Sequence, residues 1–387
     1  MRTQRLFDID ARLCEFEAEV LDCRARDDGG FDLILDKTAF FPNEGGQSCD
    51  KGKIEGEDVL SVDEKQGVII HRVGRSFEVG ALVRGEIEWQ ERFRKMQNHT
   101  GEHIISGLVF ARFGYNNVGF HLGSDDVSAD FDGELTEADV REIERLANGV
   151  VFACRAVTAC YPEPCELENM QYRSKLDITE GVRIVEIEGV DKCACCAPHV
   201  SNTGEVGLIK ILDFMRYKGG VRVHMQCGFD ALDDYNERCA QMRRVSMAIS
   251  AKQCEIAEGV ERLLEEQIKL KVHLNALKQE NMTYKLERLE YTEASICIFD
   301  YTGDMLAARN FVNEAVMRTG RIFALFCGND EEGYKYIMAS ETVDLKANMA
   351  AINAAIGGKG GGSSRMIQGS CNAKKADIET LFSEENF

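Results

Sequence analysis

Two short motifs that lie nearly a hundred residues apart constrain the fold of this chain more than any other feature. His99 and His103 are four positions apart in NHTGEH, and Cys195 and His199 are four apart in CCAPH. Side chains at this spacing lie on one face of a helix, so His99 and His103 can bind one ion if Gln90 to Phe110 is helical. Three imidazoles and one thiolate suit zinc. We therefore expect a fold that brings both pairs to one zinc ion.

The composition indicates a globular protein of several domains. A length of 387 residues predicts two to four domains, and 44% hydrophobic and 29% charged residues are ordinary proportions. No apolar run is long enough to cross a membrane, and MRTQRLFDID has no signal-peptide core. The fifteen cysteines are scattered and odd in number, so we interpret them as reduced thiols. These features predict a cytoplasmic protein that does not enter a membrane.

The net charge of the chain does not favour a nucleic-acid partner. A formal charge of −20 opposes phosphate binding, which depends on Lys and Arg. The basic residues nevertheless cluster in three places, which predicts a surface with separate acidic and basic regions. These clusters are Arg84, Arg92, Arg94 and Lys95; Lys210, Arg216, Lys218 and Arg222; and Lys359, Arg365, Lys374 and Lys375.

Several motifs, in order along the chain, resemble the editing region of alanyl-tRNA synthetases. They are DKTAFFPNEGGQSCDKG (Asp36 to Gly52), NHTGEH, GFHLG (Gly119 to Gly123), DKCACCAPHVSNTGEVG (Asp191 to Gly207), KGGVRVHMQCG (Lys218 to Gly228) and GGKGGGSSRMIQG (Gly357 to Gly369). The last resembles the glycine-rich signature of the small C-terminal domain that these synthetases share with DHH phosphoesterases. Because no region for ATP-dependent aminoacylation precedes them here, the resemblance is to the long free-standing alanyl-tRNA editing proteins.

The pattern of strands and helices predicts an α+β protein with four domains. Residues 1–89 contain short strands between Gly and Asp turns, typical of a small β-barrel. Residues 90–232 mix helices and strands, which predicts a two-layer zinc-binding editing core. Within it, TEADVREIERLANGVVFAC predicts a helix with Thr136 as its N-cap.

Residues 233–290 contain no proline and predict one long helix. Two rows of residues repeat every seven positions, which indicates a coiled-coil seam and a homodimer. The rows are Ile256, Leu263, Leu270, Leu277 and Tyr284, and Val260, Gln267, Leu274 and Asn281. An amphipathic helix packed on its own domain would show the same periodicity, so both interpretations stay open.

Residues 291–387 predict a small α/β domain with a glycine-rich loop. Backbone N–H groups of such a loop can bind phosphate, but GGKGGG lacks the spacing of an ATP-binding P-loop. The resemblance instead implies tRNA contact, dimerisation, or both. The tRNA-binding candidates are Lys218, Gly360, Gly361, Gly362 and Arg365.

The resemblance implies that His99, His103, Cys195 and His199 are the zinc ligands, with Cys193 and Cys196 as bystanders. Four protein ligands usually mark a structural zinc site, whereas a catalytic zinc keeps one position open. The sequence does not decide between an ion that activates water and one that only positions the substrate.

Other residues are candidates for contact with the substrate. Thr100 and Gln47 are catalytic candidates, with capping of the helix start as the alternative role for Thr100. Glu102 is a candidate general base, although an exposed helical glutamate is the plainer interpretation and the HExxH spacing of metalloproteases is absent. Substrate-binding candidates are Gly45, Gly46, His121 and Arg222.

Together these features predict a hydrolase that removes wrongly attached serine or glycine from alanine tRNA. Its partner would be the mischarged tRNA and its cofactor zinc. A non-catalytic tRNA-binding protein with a structural zinc is the main alternative. A zinc peptidase and an aminoacylating synthetase fit the motifs less well. Preference between serine and glycine lies beyond the sequence.

Overall fold

The computed structural model describes residues 2–27, 29–123, 127–174, 181–300 and 305–383. The chain forms two compact units, Met1–Met242 and Arg243–Phe387. Both units contain helices and β-sheet, so the predicted α+β class is confirmed. None of the described helices has the length and apolar character needed to cross a membrane.

The first unit begins with a closed barrel whose strand order is β2-β3-β7-β6-β5-β8. Its inward side chains alternate with exposed ones along each strand, as in Leu82–Ile87, because successive residues of a strand point to opposite faces. The elements are β1 (Gln4–Arg5), α1 (Leu6–Ile9), β2 (Glu15–Ala25), β3 (Phe31–Leu35), β4 (Lys37–Thr38), β5 (Gly52–Ile54), β6 (Glu57–Lys65), β7 (Val68–Val73) and β8 (Leu82–Ile87).

The rest of this unit is built around one long buried helix. That helix, α2 (Trp89–Phe113), contacts a four-stranded and a three-stranded sheet, and it ends at Gly114 in the left-handed conformation. The four-stranded order is β14-β15-β10-β9 and the three-stranded order is β11-β12-β13. The elements after α2 are β9 (Asn117–Leu122), β10 (Val127–Phe131), α3 (Glu137–Phe152), β11 (Val157–Cys160), α4 (Pro164–Leu167), β12 (Ile184–Ile187), β13 (Asp191–Ala194), a 3₁₀ helix (Thr203–Val206), β14 (Ile209–Tyr217) and β15 (Gly220–Cys227).

Two sequence predictions in this region are confirmed. Helix α2 covers the predicted Gln90 to Phe110. Helix α3 begins after Thr136, whose hydroxyl accepts from the backbone N–H of Asp139 while the Asp139 carboxylate accepts from that of Thr136.

The predicted helix over residues 233–290 is divided into two. Helix α5 (Gly228–Ala248) is followed by a 3₁₀ turn (Gln253–Glu255) and α6 (Ile256–Glu287). Ser250 adopts a φ of 52°, and the N–H groups of Ser250 and Ala251 bond back to Met247 and Ser246. This pattern is a Schellman motif, which ends a helix by changing the backbone direction at a left-handed residue. Residues 233–290 contain no proline, so this break was not predicted.

The second unit contains a five-stranded sheet of order β16-β17-β18-β20-β19. After α6 its elements are β16 (Ile296–Asp300), α7 (Met305–Ala315), a 3₁₀ turn (Val316–Arg318), β17 (Ile322–Asn329), β18 (Gly333–Ser340), α8 (Leu345–Ala355), β19 (Gly358–Gly362), β20 (Met366–Cys371) and α9 (Lys375–Ser383).

The glycine-rich segment is an edge strand and not the predicted loop. Gly360 and Gly362 pair with Gly369 and Ile367 of β20. A Cβ on Gly360 would lie 2.1 Å from the hydroxyl of Tyr336. Close packing of this strand against Tyr336 therefore explains why Gly360 carries no side chain.

Candidate metal centre

The two motif pairs meet in the first unit as expected. One donor atom from each of His99, His103, Cys195 and His199 lies within 4.8 Å of the others. Sγ of Cys195 is 3.6 Å from Nε2 of His99 and 3.3 Å from Nε2 of His199. A tetrahedral site with Zn–N bonds of about 2.0 Å and a Zn–S bond of about 2.3 Å needs neighbouring donors about 3.5 Å apart. The donor set can therefore hold a tetrahedral metal ion.

Each imidazole is oriented by a second residue at its outer nitrogen. Nδ1 of His99 lies 2.8 Å from Oε1 of Gln47, and Nδ1 of His103 lies 3.1 Å from Oδ2 of Asp191. Because both partners are acceptor oxygens, each Nδ1 carries the proton and donates it, which leaves Nε2 as the nitrogen that could bind a metal ion. Such contacts fix the tautomer and the angle of each ring, so the site is organised before any ion binds.

The third imidazole, His199, has Thr100 as its partner. Their Nδ1 and Oγ1 atoms are 2.9 Å apart, and Thr100 is fully buried. Because α2 begins at Trp89, Thr100 lies inside the helix and does not cap its start. Thr100 thus contacts the outer nitrogen of His199, a candidate metal ligand, and it is not among the residues that line the cavity described below.

A glycine turn places Gln47. Gly45 and Gly46 have φ values of 63° and 82°, and a Cβ on Gly46 would lie 2.6 Å from the carbonyl oxygen of Phe120. The carbonyl oxygen of Gly46 accepts from the N–H of Leu122, which attaches the turn to β9. Only glycine fits this approach without strain. The turn thereby carries the Gln47 amide to His99.

Arg183 holds the segment that carries the second ligand pair. Its guanidinium donates to the carbonyl oxygens of Cys195 and Ala197 at 3.1 and 2.8 Å. The Cys195 N–H in turn donates to the Arg183 carbonyl oxygen at 3.0 Å. Nε of Arg183 also lies 3.4 Å from the Asp8 carboxylate. These bonds fix a segment without regular structure beside α2.

Electrostatics favour a thiolate among the imidazoles. Burial opposes ionisation of Cys195, but the interaction with His99 and hydrogen bonds from His103 and His199 outweigh it and hold the pKa of the thiol well below its usual value. Burial lowers the pKa of His199 to about 3, so that ring is neutral and suited to metal ligation. For Asp191, burial is outweighed by hydrogen bonds from His103 and Arg173, which lower its pKa to about 2. Asp191 is thus a permanent carboxylate behind His103.

The neighbouring cysteines differ from Cys195. Burial raises the pKa of Cys193 and of Cys196, and the negative charge of Cys195 raises the pKa of Cys196 further. Cys193 does form a second potential donor group with His103 and Asp191. In that group Asp191 is already held by two hydrogen bonds of 2.7 Å from Arg173.

A cavity of about 300 Å³ opens beside the candidate ligands. It is lined by side chains from the barrel, α2, β9 and the segment around Cys195, with three arginines among them. The lining includes Arg5, Glu44, Gly45, His99, Glu102, His103, Phe120, Tyr161, Arg173, Arg183, Cys193, Cys195 and Cys196. This is the size of a small-molecule site.

Two predicted substrate contacts lie elsewhere. His121 is exposed, and its neighbour Phe120 lines the cavity with its ring centroid 4.6 Å from that of His99. Successive side chains of β9 point to opposite faces, so Phe120 lines the cavity and the adjacent His121 does not. Arg222 forms hydrogen bonds of 2.6 and 2.8 Å with Asp130 and lies over the ring of Tyr217, away from the cavity lining.

The first basic cluster is only partly at the surface, because Arg84 is exposed whereas the other three members lie on α2 and are wholly or partly buried. Arg92 is buried and paired with Asp50, Arg94 pairs with Asp230, and Lys95 pairs with Glu91. Glu102, which the sequence favoured as an exposed residue, is only 2% exposed. Burial of these groups depends on tertiary contacts that no local pattern reveals.

The fold and site are those of an α+β protein with a buried His₃Cys donor set beside a cavity. Residues 182–246, which include Cys195 and His199, match the family described as the threonyl and alanyl tRNA synthetase second additional domain. The chain is 30% identical over 385 residues to the alanine–tRNA ligase of Pyrococcus abyssi, covering 95% of this chain and 42% of the ligase. It is 34% identical over 281 residues to that of Halobacterium salinarum, covering 68% of this chain and 30% of the ligase.

A relative of similar length is the alanyl-tRNA editing protein AlaX-L of Pyrococcus horikoshii. Identity is 26% over 396 residues, which cover 97% of this chain and 96% of AlaX-L. The chain therefore spans less than half of the ligases but nearly all of the editing protein. The resemblance to free-standing alanyl-tRNA editing proteins and to alanyl-tRNA synthetases is confirmed.

Proposed function

We propose that this protein hydrolyses the ester that joins a wrong amino acid, serine or glycine, to alanine tRNA. The observation that carries the proposal is the meeting of four potential metal-donor side chains, three of which, His99, His103 and Cys195, line a cavity of about 300 Å³. Similarity to AlaX-L along nearly its whole length supports the same activity. The activity would remove errors from tRNA that has left the synthetase.

Zinc is the proposed metal, held by His99, His103, Cys195 and His199. Two features support it: a mixed nitrogen and sulfur donor set, and donor spacings of 3.3 and 3.6 Å that suit a tetrahedral ion. When bound, zinc would supply Lewis acidity toward an ester carbonyl or a water. The chain itself contributes orientation, since Gln47, Thr100 and Asp191 hold the three rings.

The cavity walls suit the acylated end of a tRNA. Three guanidinium groups line it, and each is paired with a carboxylate: Arg5 with Glu64, Arg173 with Asp191 and Arg183 with Asp8. Phe120 offers an aromatic face on which a base or ribose can pack. Other contacts with the tRNA are proposed for Lys218, which lies in the turn between β14 and β15, and for Arg365 beside the glycine strand.

A homodimer through α6 is a further part of the proposal. Leu263, Leu270, Leu277 and Tyr284 are exposed on this helix, as are Val260 and Leu274. An exposed apolar row at heptad spacing would be covered by a second copy of the helix. Light scattering at micromolar concentration tests this point, and a monomer would contradict it.

A non-catalytic tRNA-binding protein is the second candidate. The four protein donors favour it, because a site of this kind is often structural. It predicts tight binding of alanine tRNA without loss of the ester.

One assay separates the two candidates. Purified protein is incubated with seryl-, glycyl- and alanyl-tRNA specific for alanine, with and without a chelator. The proposal predicts rapid loss of the seryl or glycyl ester, sparing of the alanyl ester, and inhibition by the chelator. Equal stability of all three esters in the presence of zinc would contradict hydrolysis and favour the binding protein.

A further inference from the structure

Lys95 is a buried ammonium on the helix that carries the first ligand pair. It lies on α2 one turn before His99, and it is 7% exposed. Its Nζ atom lies 2.6 Å from the carbonyl oxygen of Cys49, 3.4 Å from that of Ser48 and 2.9 Å from a carboxylate oxygen of Glu91. An ammonium group has three donors, so these three acceptors satisfy it. Lys95 thus attaches α2 to the backbone of the loop that precedes β5.

Three side chains on one face of α2 contact this loop in reverse order along the chain. Positions that are three and four residues apart share one face of a helix. The contacts are Arg92 with Asp50, Lys95 with Cys49 and Ser48, and His99 with Gln47. The two carbonyl groups that Lys95 holds therefore belong to the residues directly after Gln47, the residue that orients His99.

The side chain of Gln47 has one hydrogen bond to hold it in place. Its Oε1 atom accepts from Nδ1 of His99, whereas its Nε2 atom is buried and has no hydrogen-bond partner in the described part of the chain. The bond between the Gly46 carbonyl oxygen and the N–H of Leu122 attaches the loop to β9 and not to α2. The distance between Gln47 and His99 therefore depends on the contacts between the loop and α2, of which that of Lys95 is the next along the helix.

We propose that Lys95 is a positioning residue for the metal centre, because its hold on the loop keeps the Gln47 amide at Nδ1 of His99. This inference rests on the zinc site of the proposed function and adds a residue outside the cavity lining. A ring with its proton fixed on Nδ1 presents Nε2 to an ion. Without the clamp the loop moves away from α2, and His99 loses the acceptor that fixes its tautomer and angle. Zinc then binds more weakly to the same four donors.

The alternative is that Lys95 only stabilises the fold. Both roles predict that Lys95→Met lowers stability, because two carbonyl groups lose their donor. The roles differ in whether the effect on zinc passes through Gln47. Two changes that act through one contact are not additive, whereas independent changes are.

The test is a double-mutant cycle on zinc affinity, measured by competition with a chromogenic chelator. Gln47→Leu should lower the affinity about 10- to 100-fold, because it removes the acceptor for His99. Lys95→Met should lower it about tenfold, and the double variant should bind zinc no more weakly than Gln47→Leu alone. Losses that multiply in the double variant would overturn the inference in favour of the structural role. Wild-type affinity in either single variant would overturn it as well.

Lys51→Met is the matched control. Lys51 pairs with the same Glu91 carboxylate at 3.0 Å, but its side chain is 66% exposed. The control removes the same charge and leaves the clamp on the loop in place, so zinc affinity should equal that of the wild type. An equal loss in both lysine variants would assign the effect to Glu91 or to net charge and would overturn the inference.

A second variant covers a failure to fold. If Lys95→Met does not fold, Lys95→Gln takes its place, since its amide keeps a donor at a shorter reach. The loss that it causes should vanish in the Gln47→Leu background, and a loss that persists there would contradict the inference. Because the cycle needs no tRNA, a protein inert toward all three esters would overturn only the proposed hydrolysis. A wild type that binds no zinc would overturn both the metal centre and the inference.

Discussion

The hydroxyl of Thr100 lies 2.9 Å from Nδ1 of His199, and neither residue is among those that line the cavity. The backbone N–H of Val200 also donates to this hydroxyl at 3.4 Å. Thr100 is therefore bonded to the chain that follows the second ligand pair. These contacts favour a role in supporting His199, a candidate metal ligand, over contact with the substrate.

Replacement of Thr100 by valine tests that role. The variant keeps the shape of the side chain but removes the acceptor for His199, so zinc affinity should fall about 10- to 100-fold. Competition with a chromogenic chelator measures the affinity. At saturating zinc the variant should regain near wild-type hydrolysis. Persistent loss of activity at full zinc occupancy would instead indicate that Thr100 contacts the substrate.

The buried pair of Arg92 and Asp50 links the ligand helix to the barrel. Nε of Arg92 donates to Asp50 at 2.9 Å, and the same guanidinium donates to the carbonyl oxygens of Ala11 and Ala39. Asp50→Asn would leave a buried guanidinium without its counter-charge, which costs about 3–5 kcal/mol. Urea unfolding followed by the fluorescence of Trp89, the only tryptophan, measures the loss. Exposed Asp58→Asn is the control, and equal midpoints for the two variants would refute this account.

Acid should destabilise the barrel through His71. The Thr38 hydroxyl donates to Nε2 of His71 at 2.9 Å, Nδ1 faces the Leu33 carbonyl oxygen at 3.2 Å, and burial lowers the pKa of His71 to about 4. Between pH 6.5 and 4 the unfolded chain binds a proton that the folded chain does not. Stability is therefore full above pH 6.5 and falls toward pH 4 by about 1.4 kcal/mol per pH unit.

The measurement is urea unfolding across this pH range, with a chelator present so that zinc release makes no contribution. His71→Gln removes the titrating group and should show a flatter dependence on pH than the wild type. Parallel pH profiles for the two proteins would exclude His71 as the cause.

A substitution at Ser250 distinguishes two helices separated by a break from one continuous helix, because its effect on stability has opposite signs in the two cases. Ser250 has a φ of 52°, where glycine is favoured, so Ser250→Gly should stabilise the protein by about 1 kcal/mol. In one continuous helix the same change would destabilise it. Thermal unfolding of Ser250→Gly, with Ser250→Ala as control, decides between them. A lower midpoint for the glycine variant would favour the continuous helix.

Sequence reasoning located the helices that carry strong local signals and brought together the four candidate metal donors that meet in the structure. Thr136 and Asp139 are sufficient to mark the start of α3, and the spacing of His99 and His103 places both on one face of α2. The supporting residue Asp191 was missed, because nothing in the chain near it shows that it will meet His103, 88 positions away. The one available signal was that Asp191 is the first residue of the motif that also contains Cys195 and His199.

Other failures have the same physical origin. Burial of Glu102 and Arg92 is decided by contacts across the fold, and strand alternation selected Phe120 over His121 for the cavity. Ser250 has a left-handed backbone conformation that usually occurs at glycine, so a serine at this position did not indicate the end of a helix. The glycine-rich strand was mistaken for a loop, because its glycines are required by close packing against Tyr336 and Met366 and not by a turn.

X-ray absorption at the zinc edge tests the central claim most directly. Protein loaded with one equivalent of zinc should show three nitrogen donors at about 2.0–2.1 Å and one sulfur donor at about 2.3 Å. Cys195→Ser should remove the sulfur shell, whereas Cys193→Ser and Cys196→Ser should leave it intact. Two or more sulfur donors in the wild type, or a sulfur shell that survives Cys195→Ser, would contradict the proposed ligand set.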